Sequence, residues 1–267
     1  MLPILGIIAG NGILPHEITK IYSKIGGNIF IADIGNEERS WDMTSQKFPV
    51  GSVGAILKFF KSHNVENIII IGSIIRPNLL SLNVDFTGSI LLAKILKTKF
   101  SGDDNVLRIV SDFIESRDFK VISPLEILLS NDYEYNMITT TTPLPKDLTD
   151  INLGSKILHH LGKFDIGQSI IISDGYTLGI EAAEGTDNLI KRCAILRKNN
   201  KGGVLVKMHK LNQDIRLDTP TIGPDTIINL AENGFNGLAI EKNKVLIAQP
   251  EITLSLLNEK KLFLIFI

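Results

Sequence analysis

Residues 4–9, Ile-Leu-Gly-Ile-Ile-Ala, are apolar at every position, and residues 68–71 are four consecutive isoleucines. A strand that is apolar on both faces must be covered on both faces. That is the situation of a central strand in a parallel sheet flanked by helices. Residues 28–32 read as a further strand of this kind. Helical patterns lie between the strands. Pro15 suits the first turn of a helix running to about residue 25, and Val53, Ile56, Leu57 and Phe60 fall at helical spacing over 51–62. Helices over 88–97 and 103–116 and a strand over 119–122 complete the first half. The alternation predicts an α/β fold with an N-terminal Rossmann-like parallel-sheet domain. Thr139-Thr140-Thr141-Thr142-Pro143-Leu144-Pro145 favours extended chain and sets an expected boundary: residues 1–140 for the first domain and 141–267 for the second. The second mixes strands (169–173, 177–182, 204–207, 238–240, 245–248) with helices (from 147 or 149 to 161, 187–197, 225–232) and reads as α+β.

The chain has 28 basic and 29 acidic residues among 267. That balance argues against a nucleic-acid binder, which carries a basic excess. The single cysteine, Cys193, excludes an internal disulfide and a Cys-rich zinc site, and its helical spacing with Leu189 and Leu196 predicts core packing. The apolar N-terminus lacks the basic start of a signal peptide. The longest apolar run, 68–75, is too short to cross a bilayer, so a cytoplasmic location is expected. The helix over 88–97 reads as core-facing with its lysines in water. A basic amphipathic helix touching acyl chains or a membrane surface is the alternative.

Several segments have the composition of a phosphate-binding protein. Gly10-Asn11-Gly12 follows the first strand, where glycines let backbone approach a ligand and a helix N-terminus attracts anions. Asp33 ends the second strand, where a dinucleotide site would hold a ribose hydroxyl, although Pro15 replaces the third glycine of that fingerprint. Arg76 follows the third strand and can clamp a phosphate. Asp103 and Asp104 open a helix, where capping explains them as well as a metal or sugar-hydroxyl role does. Glu181 and Glu184 lie between a strand and a helix and can bind a metal or a sugar, while Thr186 has the position of an N-cap. Beyond a buried strand over 204–206 come Lys207, Lys210, Gln213, Asp214, Arg216 and Asp218, ahead of the stiff turn Thr219-Pro220-Thr221-Ile222-Gly223-Pro224. Carboxylates that hold a metal beside cations that neutralise phosphoryl charge suit a magnesium-dependent phosphate reaction. His209, with no second His or Cys at ligand spacing, reads as structural.

These segments also carry a family resemblance. Gly6 through Pro15, Gly72 through Pro77, Gly102-Asp103-Asp104, Asp165-Ile166-Gly167-Gln168, Glu181 through Asp187 and Lys207 through Gly223 occur in the order and spacing of the LpxI-type UDP-2,3-diacylglucosamine pyrophosphatases of lipid A biosynthesis, which the chain resembles over nearly its whole length. Leu211 and Thr219 depart from the family pattern and remove no charge. The resemblance implies a two-domain, Mg2+-dependent hydrolase with the substrate between its domains, forming UMP and 2,3-diacylglucosamine 1-phosphate (lipid X). It aligns the family's essential acid with Asp218. We therefore expect Asp218, Lys207, Arg216 and Gln213 to be catalytic. Asp218, Glu181 and Glu184 are the expected metal ligands. Gly10, Asn11, Gly12, Arg76, Asp103, Asp104, Gln168 and Thr186 are expected to contact the substrate. The expected partner is a lipid-linked UDP-sugar, not nucleic acid; peripheral contact with the inner membrane leaflet and a homodimer stay open. The rival readings are a non-catalytic nucleotide-binding or regulatory module and a nicotinamide-dependent oxidoreductase built on Gly10, Gly12 and Asp33.

Overall fold

A computed structural model describes residues 2–74, 82–97, 103–129, 138–164, 166–197, 201–211 and 213–267. The chain divides into two units. The first comprises Met1–Asp132 together with Asp214–Asp218, the second Tyr133–Gln213 with Thr219–Ile267. The Thr/Pro segment expected at the boundary lies inside the second unit. There the Thr140 N–H donates to Asn258 Oδ1 at 2.8 Å.

The first unit is a five-stranded parallel sheet of β1 (Leu5–Ala9), β2 (Ile29–Asp33), β3 (Ser45–Lys47), β4 (Asn67–Ile71) and β5 (Lys120–Val121), in the order β3-β2-β1-β4-β5. The chain winds outward in opposite directions from β1 and β4, so the carboxyl ends of these two strands form the switch point where such sheets leave a crevice. Ile8 and Ile68 point to one face, with Phe60 of α2 (Val53–Ser62), Leu91 of α3 (Phe86–Lys97) and Phe113 and Ile114 of α4 (Asp103–Glu115). On the other side α1 (Leu14–Lys24) packs with α5 (Pro124–Leu129). Leu217, 8% exposed and about 100 residues beyond α4 in sequence, completes the first core.

The second unit has a mixed five-stranded sheet. Its strands are β6 (Ser169–Ser173), β7 (Tyr176–Ile180), β8 (Val204–Lys207), β10 (Gly237–Ile240) and β12 (Phe263–Phe266), in the order β12-β10-β8-β6-β7. β8, β10 and β12 are parallel, while β6 runs antiparallel to both neighbours. The β6–β7 hairpin turns at Asp174 and Gly175, both at positive φ, as a two-residue turn matched to strand twist requires. The Asp150 carboxylate accepts both turn N–H groups at 2.9 and 2.8 Å. Alternation sorts the sheet into two cores. Ile171 and Leu205 face α7 (Thr186–Ala194), α8 (Pro224–Glu232) and α9 (Pro250–Glu259), with the fully buried Cys193. Ile170, Ile172, Val204 and Val206 face α6 (Pro145–Leu161). A short parallel pair, β9 (Thr221–Ile222) and β11 (Leu246–Ile247), lies beside it.

Leu217→Ala should destabilise the protein by about 2–4 kcal/mol, the usual cost of emptying a buried leucine site. Urea unfolding of the full chain reads this directly, and an unchanged midpoint would contradict the placement of residue 217 in the first core.

Candidate active site

Strand register gathers polar groups at one end of the second sheet. Ser169 pairs with Lys207 across β6 and β8. The N–H of Glu181, just past β7, donates to the Ser169 carbonyl at 2.8 Å. Gly167, at φ +59°, passes so close to the Glu181 carbonyl that a Cβ there would lie 2.4 Å from its oxygen; only glycine fits. The chain then enters α7 through Gly185, which is the N-cap, and Thr186 is the first helical residue. This corrects the expected capping role of Thr186. Its hydroxyl instead accepts from Lys207 Nζ at 2.8 Å and donates to Glu181 Oε1 at 3.0 Å. Ser169 Oγ lies 3.3 Å from the Thr186 hydroxyl oxygen. A hydroxyl has one proton and two lone pairs; with the Thr186 proton on Glu181, Ser169 is the donor of that contact.

Lys207 is 7% exposed, so its ammonium lies away from bulk water among oxygens. Three buried acceptors of the same segments, Glu181 Oε2, Gln168 Oε1 and Asp187 Oδ1, have no hydrogen-bond partner. A buried acceptor left unpaired costs about 1–3 kcal/mol. These are hard oxygen donors, the type that suits Mg2+. Among the described residues no three His, Cys, Asp or Glu side chains gather as a metal cluster. A magnesium ion here would rely on one or two carboxylates plus ligand oxygens, which is its common mode of binding. Glu184 is differently placed. One oxygen pairs with Arg192 at 2.7 Å and the other accepts the Ala182 N–H at 3.1 Å, and the Arg192 hydrogen bond holds its carboxyl below the ordinary value.

The 207–223 segment divides between the units. Gln213 is buried in the second, where its carbonyl accepts from His209 Nε2 at 2.9 Å and its Oε1 from the Lys210 N–H at 3.3 Å. Residues 214–218 belong to the first. Arg216 there takes Asp214 in a two-pronged contact (Nε–Oδ1 3.0 Å, Nη2–Oδ2 2.7 Å) and Glu115 of α4 through Nη1 at 2.9 Å. The Arg216 hydrogen bonds hold the Asp214 carboxyl low, and those of Asp214 hold the guanidinium proton more firmly. Ser123 Oγ donates to the Ile215 carbonyl at 3.0 Å. Arg216 thus meets two carboxylates of its own unit. Half-buried Asp218 closes the turn, its N–H on the Asp214 carbonyl at 3.3 Å.

At the switch point of the first sheet, Gly10 and Gly72 cross so closely that a Cβ on either would lie 2.7 Å from the other's backbone. Above Gly12 there is open space. Its N–H donates to Glu37 Oε2 at 3.1 Å, and Asn11 Oδ1 accepts the Asn36 N–H at 2.8 Å. Asp33 is not poised for a ribose hydroxyl. It is 3% exposed, and its carboxylate accepts from the Gly35 N–H, Arg39 Nη2, Trp41 Nε1 and Lys47 Nζ. Burial pushes its pKa up, but the bonds from Arg39, Trp41 and Gly35 outweigh that and leave it below the ordinary value. Arg76 lies outside the described residues, as does Asp165, and of Asp103 and Asp104 only their place at the start of α4 is described. Ser169, Asp187 and Arg39 were not foreseen as participants. Ser169, a hydroxyl opening a strand whose three middle residues are isoleucines, is the signal the sequence carries.

A parallel sheet with a glycine crossing at its switch point, and a mixed sheet whose central strand ends in a buried lysine among hydroxyl and carboxylate oxygens, define a two-unit α/β protein. The LpxI N-terminal domain model matches residues 4–130 and the LpxI C-terminal domain model residues 134–265. The chain belongs to the LpxI family. The UDP-2,3-diacylglucosamine pyrophosphatase LpxI of Caulobacter vibrioides is 29% identical over 273 residues, covering 98% of this chain and 96% of that protein.

Arg39→Met should cost about 3–5 kcal/mol at neutral pH, because it leaves a buried carboxylate without its guanidinium. A carboxyl whose folded pKa is depressed stabilises fully above its unfolded pKa, about 4, and ceases to do so as pH falls through the folded value. The gap between variant and parent, measured by urea unfolding, should therefore narrow on acidification below about pH 4.

Proposed function

We propose that this chain hydrolyses the diphosphate of UDP-2,3-diacylglucosamine in lipid A synthesis, releasing UMP and 2,3-diacylglucosamine 1-phosphate, with Mg2+ as cofactor. The observation that carries the reading is the match to both LpxI domains with a pyrophosphatase relative aligned over 98% of the chain. The chemistry at the end of the second sheet supports it. An anhydride cleavage gathers negative charge on phosphoryl oxygens, and a buried, oriented cation stabilises that charge far more than a solvated one.

In this reading Lys207 is the charge-stabilising cation, held in direction by Thr186, which Ser169 and Glu181 hold in turn. Asp218 orients the attacking water or contributes to the metal shell, and Glu181, with its unpartnered Oε2, contributes a ligand oxygen. Mg2+, when bound, supplies Lewis-acid polarisation of the phosphate oxygens. Gln213 places a hydrogen bond on a phosphate oxygen. Arg216, held by Asp214 and Glu115, keeps the turn carrying Asp218 in shape. Glu184, held by Arg192, does the same for the turn into α7. Gly10, Asn11 and Gly12 receive the nucleotide end of the substrate.

Asp218→Ala should abolish UMP release while leaving substrate binding measurable. Lys207→Met should lower kcat by about 10²–10³, the usual loss for one oriented charge-stabilising donor. Chelation should stop turnover and Mg2+ restore it. Near-normal hydrolysis by the Asp218 variant would reject its assignment. Binding of the lipid nucleotide by the parent chain with no UMP formed would replace the hydrolase by a nucleotide-binding module.

A further inference from the structure

α3 carries apolar residues on both of its faces. Leu91 and Gly88 are buried against the first unit. On the opposite side Phe86 is 82% exposed, Leu96 52% exposed, and Ile90 and Ala93 also face water. Phe86, Ile90, Ala93 and Lys97 follow one another at spacings of four, three and four, so they form one stripe along the helix. The sequence predicts lysines covering the solvent side of this helix; the structure exposes a phenylalanine and two large aliphatic residues there. An outward aromatic and aliphatic ridge on a helix marks a surface that meets something apolar.

The neighbouring surface is basic. A cavity of about 560 Å3 between α2, the start of α3 and the end of α4 is lined by Lys58, Lys61 and Arg117, with Asp118 as the acid in its lining; Thr87, beside Phe86, forms part of the same wall. Lys94 and Arg117 both lie over the ring of Phe113, at 5.2 and 5.1 Å, so the flank of α3 and the groove share one aromatic ring. Lys97 extends the stripe at its far end. An apolar ridge bordered by cations is complementary to an acyl boundary topped by anionic headgroups.

We propose that this face of the first unit, the α3 ridge with the basic groove of Lys58, Lys61 and Arg117, docks the protein on the surface of an anionic lipid bilayer. The ridge enters the headgroup boundary and the cations meet lipid phosphates. The inference stands on this surface and is independent of the hydrolase reading.

The test is co-sedimentation of the full chain with vesicles of phosphatidylcholine alone or mixed with phosphatidylglycerol, at low and high salt. Binding is expected to the anionic vesicles and to weaken with salt. Phe86→Ser/Ile90→Ser should reduce the bound fraction about tenfold, and Lys58→Glu/Lys61→Glu should remove the salt-sensitive part. Both double variants should keep the parent's circular dichroism, its unfolding midpoint and its UMP release from detergent-dispersed substrate. Absence of vesicle binding by the parent chain overturns the proposal whatever its hydrolytic activity, as do equal binding to neutral vesicles and folded variants that bind as well as the parent. A Phe86-dependent dimer in analytical ultracentrifugation, without vesicle binding, would assign the ridge to a second copy of the chain instead.

Discussion

An ammonium removed from water has to be met by oxygens, and Lys207 imposes that requirement on the middle of the second sheet. It ends the central strand, and the surrounding elements answer it in turn. The antiparallel register brings Ser169 alongside, the hairpin returns Glu181 to Ser169, and Gly185 takes over the capping position so that the Thr186 hydroxyl can reach the lysine. The result is a fixed direction for a positive charge at a low-dielectric site, where electrostatic work is larger than at the surface. Acceptors of the same segments, Glu181 Oε2 among them, have no hydrogen-bond partner, so the cluster is more complete as a receptor than as a self-contained structural network.

The first unit treats charge differently. Arg39 and Asp33 are buried together beneath the glycine crossing, with Trp41 on the second carboxylate oxygen and the ring of His16 stacked on Trp41 at a centroid distance of 4.0 Å. Arg39 Nη1 also donates to the Gly10 carbonyl at 2.7 Å. Here the ion pair supports the loop that follows β1. The glycines at this crossing serve backbone approach first, since Gly10 and Gly72 leave no room for a Cβ, while Gly12 beside them opens onto free space.

Much of the architecture was legible because burial on both faces leaves an unbroken apolar run. β1 and β10 are such runs, and β2, β4, β6 and β8 are apolar but for a polar residue at one or both ends; each lies within a residue or two of its expected bounds. β3 was invisible for the opposite reason: Ser45-Gln46-Lys47 is wholly exposed, and its strand character comes from pairing with β2. The short α5 and the terminal α9 and β12 were not read. At the site, Lys207, Glu181 and Thr186 stood out by residue type, but Thr186 was misread because a local capping signal resembles a helix start whichever neighbour does the capping. The partners of Arg216 explain a deeper limit. Asp214 is two residues away and could be guessed, while Glu115 is 101 residues away, and no local pattern records that distance.

The placement of Asp214–Asp218 has a consequence for how the protein is made. The first unit is discontinuous: its core takes Leu217 from a segment synthesised after most of the second unit. A nascent chain ending near residue 132 can form the parallel sheet and its helices but not the finished interior, and it must keep an apolar gap exposed until some eighty further residues emerge. Such long-separation contacts slow folding and prolong the exposure of apolar surface. A fragment cut at the family-domain border would carry the same vacancy permanently.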